Sequence, residues 1–253
     1  MYVESAIKDK GIGIVASRKI AVGTLVLRES PQLMVELSGE IWITQNIIET
    51  FQGMNDGDKI QFMNLSNKYS VAKNLWTTNS LKYMAHVKDA LNNLDLENIN
   101  FDDAVKVCQV VNTNAFDNGV CLKISRFNHS CFANAEHFWN EDLKTRDVRV
   151  IKNIKEGEEI CLNYQASSSY LTRAERQKNI LELFHFSCHC VACDLPEQER
   201  NQLDIKCVRY KELVNKVNMY QIVYGETAGE AFELLCEKVL ICLKEMYTLA
   251  KEL

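Results

Sequence analysis

Short apolar runs, separated by turn signals, mark both flanks of the first two-thirds of the chain. Residues 12–16 and 24–29 are rich in Ile, Val and Leu and read as two strands. Ile20-Ala21-Val22-Gly23 lies between them, and the pattern returns as Ile154-Lys155-Glu156-Gly157 before another apolar run. In both places the glycine supplies the positive φ that turns the chain into a strand. Residues 146–151 and 158–164 read as two further strands. Between these flanks, residues 40–115 show helical spacing punctuated by Gly39, Gly53 and Gly57. Leu81, Met84, Leu91 and Leu94 fall on one helical face, and Asp102-Asp103 is placed to cap a helix carrying Ala104, Val107, Cys108 and Val111. Ser167–Ser169 and Thr172-Arg173-Ala174-Glu175 are helix-start signals, the second a capping box, for a helix running to about Phe184. Two helical stripes close the chain: Leu203, Cys207, Tyr210, Val214, Val217, then Phe232, Leu235, Val239, Cys242, Met246, Leu249. All these stripes read as packing faces. The pattern is that of a β-rich core interrupted by a helical insertion and followed by helices.

Composition narrows this. A chain of 253 residues, 47% hydrophobic and 25% charged, suits one large soluble domain or two small ones. Two prolines and ten glycines leave no room for a long flexible linker. A net charge of -5 and a pI near 5.6 argue against direct nucleic-acid binding, which needs a basic face, and suit a cationic peptide. Met1-Tyr2-Val3-Glu4-Ser5 lacks the basic and apolar regions of a signal peptide, and no run reaches the ~18 apolar residues of a membrane span. The expectation is a reducing compartment, nucleus or cytoplasm, in which the ten cysteines are buried thiols and metal ligands.

The candidate chemistry sits in three places. Arg126-Phe127-Asn128-His129-Ser130-Cys131 packs an amide, an imidazole, a hydroxyl and a thiol behind an aromatic. An ordinary core strand cannot hold such a run, because each polar group needs a partner once buried. Asn163-Tyr164 ends the apolar run Ile160-Cys161-Leu162. Cys188-His189-Cys190-Val191-Ala192-Cys193 offers three soft ligands at zinc-like spacing, where a closed structural site wants four.

In that order, with Lys10-Gly11-Ile12-Gly13 before them and Gly157-Glu158-Glu159-Ile160 leading into Asn163-Tyr164, these motifs resemble the SET-domain lysine methyltransferases, most closely the SMYD type. The resemblance covers residues 1–35 and about 110–197. It implies an α+β SET fold with knot-like threading of the tyrosine segment beside the Asn-His segment. It also implies a zinc-bound segment after the SET core, then C-terminal helices. The implied divisions are 1–35 and 111–165 for the two parts of the core and 36–110 for the insertion, with 166–197 for the zinc segment and 198–253 for the helical end.

The resemblance further implies S-adenosylmethionine as cofactor. Lys10, Gly11, Gly13, Asn114, Ser125, Arg126, Asn128, His129, Tyr164 and Phe186 would bind it, with Phe186 as its cover. Side chains at Gly11 or Gly13 would obstruct its approach to the backbone. Tyr164 would line the methyl-transfer channel and be the catalytic residue. The family's fourth zinc ligand is the cysteine of Asn-His-Ser-Cys, here Cys131, joining Cys188, Cys190 and Cys193; His185, His189 and Cys207 are alternatives. Four departures stand out. No cysteine precedes Cys108, so the MYND finger of SMYD relatives is not expected. Ala133 replaces a frequent proline, Leu162 stands where an aromatic influences methylation degree, and Phe184 replaces a second channel tyrosine. The activity implied is methyl transfer to the ε-amine of lysine in a protein or peptide, by a monomer without membrane or nucleic-acid contact. The alternative is a catalytically weak SET protein that binds or scaffolds.

Overall fold

The computed structural model describes residues 1–34, 37–38, 41–42, 44–67, 78–93, 99–116, 119–165, 170–224 and 230–252. Gly39, Leu94 and Ser167–Ser169 lie outside the described residues, as do the side chains of Leu81, Met84, Phe232 and Leu235. The first half runs β1 (Tyr2–Ile7), β2 (Gly11–Ala16), β3 (Leu25–Glu29), β4 (Leu33–Met34), β5 (Leu37–Ser38), β6 (Ile41–Trp42), then α1 (Thr44–Gly53), α2 (Asp56–Met63), α3 (Thr78–Asn93) and α4 (Phe101–Asn114). It continues through β7 (Gly119–Val120), β8 (Ala135–Asn140), β9 (Thr145–Val150), β10 (Glu159–Ile160), α5 (Arg173–Phe184), α6 (Glu197–Tyr224) and α7 (Glu230–Glu252). By contacts the chain forms two units: residues 1–128 with 133–162, and residues 129–132 with 163–253.

The first unit holds every strand among the described residues. β1 pairs antiparallel with β2, and β10 pairs with the other edge of β2. A second antiparallel sheet has the order β3-β9-β8, with a bulge between Leu25 and Leu27. The two matching Ile-x-x-Gly stretches mate: Ile20 and Ile154 exchange both backbone hydrogen bonds at 2.9 Å. Both isoleucines are buried, and Gly23 (φ 85) and Gly157 (φ 80) take the left-handed conformation expected of them. Ile14, Ile124, Phe127, Val148, Ile160 and Leu162 are among the residues of this β core. A second cluster fills the helical insertion, and it includes all of Ala104, Val107, Cys108 and Val111, each fully buried. Each large side chain so buried contributes about 1.5–3 kcal/mol.

Three expectations need correction. Of residues 158–164 only Glu159–Ile160 is strand; the following backbone leaves the ladder, and Leu162 N donates to Asn128 O at 3.0 Å. Helix α4 is capped by Asn100, whose side chain accepts from Asp103 N at 2.9 Å; Asp102 and Asp103 instead occupy the first turn, where negative charge suits the helix dipole. Strands β1 and β8 were not expected, because neither carries an apolar run.

The second unit is helical. Thr172 and Glu175 form the capping box of α5: Glu175 N donates to Thr172 Oγ1 at 3.4 Å and Thr172 N to Glu175 Oε2 at 2.8 Å. The helix ends at His185 in the left-handed conformation, φ 57. Arg209 of α6 grips Glu245 of α7 through Nε at 2.7 Å and Nη2 at 2.9 Å. In α6 and α7 the described members of the two expected stripes are buried or half-buried, Cys207 and Cys242 most deeply; Leu213, outside the expected stripe, is buried as well. No described helix is long and apolar enough to cross a membrane.

Candidate active site and metal centre

In the first unit, β2 and β10 bring Gly13, Asn128 and Glu159 together. The Asn128 amide donates to Glu159 Oε1 at 2.8 Å, and Lys10 Nζ meets Glu159 Oε2 at 2.7 Å. A Cβ on Gly13 would lie 2.6 Å from Asn128 Nδ2 and 2.8 Å from Glu159 Oε1. Gly13 is therefore required by this packing itself, whereas Gly11 faces open space and is required by its φ of +77. Asn128 is delivered by a 3-10 turn, Ile124–Arg126, that hangs on Glu29. The Glu29 carboxylate accepts from Lys123 N at 3.0 Å and Ile124 N at 2.9 Å. Burial pushes the Glu29 carboxyl above its ordinary value even against those donors. Asn114, Ser125 and Arg126 form a separate group. Asn114 donates to Ser66 O at 2.7 Å, Ser125 Oγ to Asn114 O at 3.3 Å, and Arg126 Nη1 to Asn64 O at 3.0 Å. Glu159, which joins Lys10 to Asn128, is not among the expected site residues; its signal in the sequence is Gly-Glu-Glu-Ile together with the distant lysine of Lys-Gly-x-Gly.

In the second unit, His129 and Tyr164 lock together. Tyr164 N donates to His129 Nδ1 at 3.1 Å, which puts the ring proton on Nε2, 3.4 Å from Cys131 Sγ. The buried imidazole thus bridges the Tyr164 backbone to the cysteine cluster. Asn163 Nδ2 donates to Cys131 O at 3.2 Å, fastening the same two segments a second time. Four rings close a circuit. Centroid distances are 5.2 Å for His129–Tyr164 and for Tyr164–Phe184, 6.5 Å for Phe184–Phe186 and 6.1 Å for His129–Phe186. Tyr164 and Phe186 remain 38% and 36% exposed, so the circuit has an open side.

The sulfurs of Cys131, Cys188, Cys190 and Cys193 are buried and lie within 4.8 Å of one another. Cys131 Sγ is 3.8 Å from Cys188 Sγ and 3.6 Å from Cys193 Sγ. A tetrahedral zinc with ~2.3 Å bonds sets its sulfurs about 3.8 Å apart, so the donor set fits that ion. His189 pairs instead with Asp194 at 3.2 Å, and His185 and Cys207 are likewise not among the four. Helix α5 holds the cysteine loop. Gln177 brackets Cys188, donating to its carbonyl at 2.6 Å and accepting from its N–H at 3.0 Å; Arg173 Nε donates to Cys193 O at 2.7 Å. Hydrogen bonds among the thiols, that with Cys131 foremost, draw Cys190 down, while those with Cys188, Cys190 and Cys193 push Cys131 up.

A family model described as SET domain matches residues 11–165. The chain belongs to the SET-domain family. Its relatives include the histone-lysine N-methyltransferase set5 of Schizosaccharomyces pombe, 26% identical over 84% of this chain and 56% of that protein. The SET domain-containing protein L678 of Acanthamoeba polyphaga mimivirus is 28% identical over 75% of this chain and 76% of that one. The protein-lysine N-trimethyltransferase SMYD5 of Mus musculus is 35% identical over 32% of this chain and 20% of its own. The chain thus spans little more than half of the fission-yeast relative.

Proposed function

We propose that this chain is a protein-lysine N-methyltransferase using S-adenosylmethionine. The observation that carries the reading is Tyr164, fixed by its own N–H on His129 and walled by the rings of Phe184 and His129. The cofactor supplies a methyl group on a positively charged sulfur. The lysine nitrogen would take that methyl while the electron pair of the broken carbon–sulfur bond stayed on sulfur. The amine must first lose a proton to water, and an apolar aromatic wall favours the neutral amine by desolvation. Tyr164 aligns the amine and stabilises charge in the transition state.

Lys10, Gly11, Gly13 and Asn128, with Asn114, Ser125, Arg126 and His129, are our assignment for cofactor binding, and Phe186 for its cover. Zinc on Cys131, Cys188, Cys190 and Cys193 would order the loop that carries Phe186; the sulfur spacing and the clamp by Gln177 support this. Knot-like threading is part of the same reading, supported by the bond from Leu162 N to Asn128 O. The partner we infer is a lysine-bearing protein or peptide in the nucleus or cytoplasm, met by a monomer. A second reading, a SET protein that binds without efficient transfer, is favoured by Phe184, whose ring stands 5.2 Å from Tyr164 and bears no hydroxyl.

Radiolabelled methyl transfer to histones and to a whole-cell lysate tests the proposal. Label on lysine that disappears in Tyr164→Phe is the expected result. Saturable binding of S-adenosylmethionine with no transfer to any protein would favour the second reading, and absence of binding would end both.

A further inference from the structure

Helix α5 carries a fully buried arginine, Arg176, one turn before Ile180, which packs in one cluster with the four cysteines. Its Nη1 donates to Leu171 O at 2.5 Å and lies 3.9 Å from Cys207 Sγ. The guanidinium also sits over the Phe132 ring, 5.2 Å from its centroid. Nε and Nη2, buried as well, have no hydrogen-bond partner among the described residues. A buried guanidinium with most of its donors unused is costly, and charges of this kind persist only when something compensates them. Phe132, whose ring the guanidinium covers, directly follows Cys131, and Arg173, one turn earlier on α5, donates to Cys193 O. The arginine thus stands beside residues that carry two of the four sulfurs, with the Cys207 thiol at its other side.

Four neutral thiols would leave this cation uncompensated. Four thiolates around one divalent ion carry a formal charge of about -2, and an adjacent guanidinium halves it. In a low-dielectric interior that neutralisation matters far more than at a surface. We propose that Arg176 is the counter-charge of the metal centre, and that its positive charge, more than its shape, sets how tightly the four cysteines hold zinc. The inference rests on the zinc reading above and deepens it: the arginine acts through the sulfurs, as a positioning residue outside the ligand set. It also links the centre to α6 through Cys207, a buried thiol that is not a ligand.

The test compares Arg176→Lys with Arg176→Gln, side chains of similar length that differ in charge. Zinc content is measured first, then zinc affinity by competition with a chromophoric chelator, then melting temperature with and without zinc. Outer-shell partners of a metal site typically govern its affinity by about 10–100-fold. Arg176→Gln should weaken zinc by about 10-fold or more, and Arg176→Lys by no more than about threefold. The melting temperature of Arg176→Gln should fall further below wild type in the zinc-loaded than in the zinc-stripped protein. Equal weakening by Lys and Gln, or equal losses in the two metal states, would mean that the arginine is only a packing element and would overturn the inference. Wild-type protein without stoichiometric zinc would overturn the metal reading and the inference together. Should Arg176→Gln fail to fold, Arg176→Lys alone decides: tenfold weaker zinc in a folded Lys variant is incompatible with a role for charge.

Discussion

A methyl group at position 13 would have nowhere to go. It would meet Asn128, Glu159 and Ile7 Cγ1 at 2.6–2.8 Å, and the first two are the pair that orients the Asn128 amide. Gly13→Ala should therefore destabilise the fold by about 1–3 kcal/mol and weaken S-adenosylmethionine binding with it, as thermal melts and calorimetry would show. Gly11→Ala, with open space around it, should cost only the backbone strain of a left-handed alanine, about 1 kcal/mol. Tyr164→Phe belongs to a different class: turnover should fall by roughly 10-fold or more, with little change in cofactor affinity, the mark of an interaction made mainly in the transition state. Unchanged turnover would mean that another group aligns the amine. The glycines and the tyrosine stand out in the sequence because ordered motifs carry them. The reason for Gly13 could not, since it depends on which side chains fold back onto β2. Glu159 stayed hidden for the same cause, with its partner Lys10 lying 149 positions away.

Among the elements, α5 has the most to lose from a small change. Its capping box starts the helix, and three of its side chains, Arg173, Arg176 and Gln177, then reach the cysteine loop or its neighbours. Thr172→Ala should cost about 1 kcal/mol in global stability, read as a lower melting temperature. Zinc release should also quicken, because the clamp loosens with the helix. A chelator, or Cys190→Ser, should free the loop around Phe186 and abolish cofactor binding while circular dichroism changes little. The helical insertion and the β sheets have apolar clusters of their own that include no metal ligand. Undiminished cofactor binding in zinc-free protein would make the metal a local staple. Helices with strong periodicity and caps were legible beforehand; α5 and the packing face of α4 are examples. β1 and β8 were not, because one has no buried residue and the other mixes Glu136, His137 and Asn140 into its run. Such strands exist by pairing with β2 and β9, which no local pattern announces.

Over the whole molecule, two carboxyls pull the pH dependence of stability in opposite directions. Hydrogen bonds from Arg28 hold Asp147 below its ordinary value of 3.8, so its contribution is present above that pH and is lost as pH falls through the depressed value. Burial raises Glu29, so its ionisation costs stability, and that cost is relieved on acidification. Asp147→Asn should lower stability at neutral pH, and its deficit against wild type should shrink as pH drops below 3.8 in urea titrations. A deficit constant with pH would mean that shape, not charge, is what Asp147 contributes. The route of the chain has its own consequence. It leaves the first unit after Asn128, lends residues 129–132 to the second, returns at Ala133 and leaves again after Leu162. No single cut can deliver either unit intact: a piece ending at Leu162 keeps Cys131 without its partners, and a piece starting at Asn163 keeps three sulfurs and lacks the fourth. On the ribosome the order is fixed too. Cys131 emerges 57 residues ahead of Cys188, so a metal held by all four sulfurs would be captured only late, and until then the Cys131 thiol would stay open to chaperones, oxidants and stray metal ions.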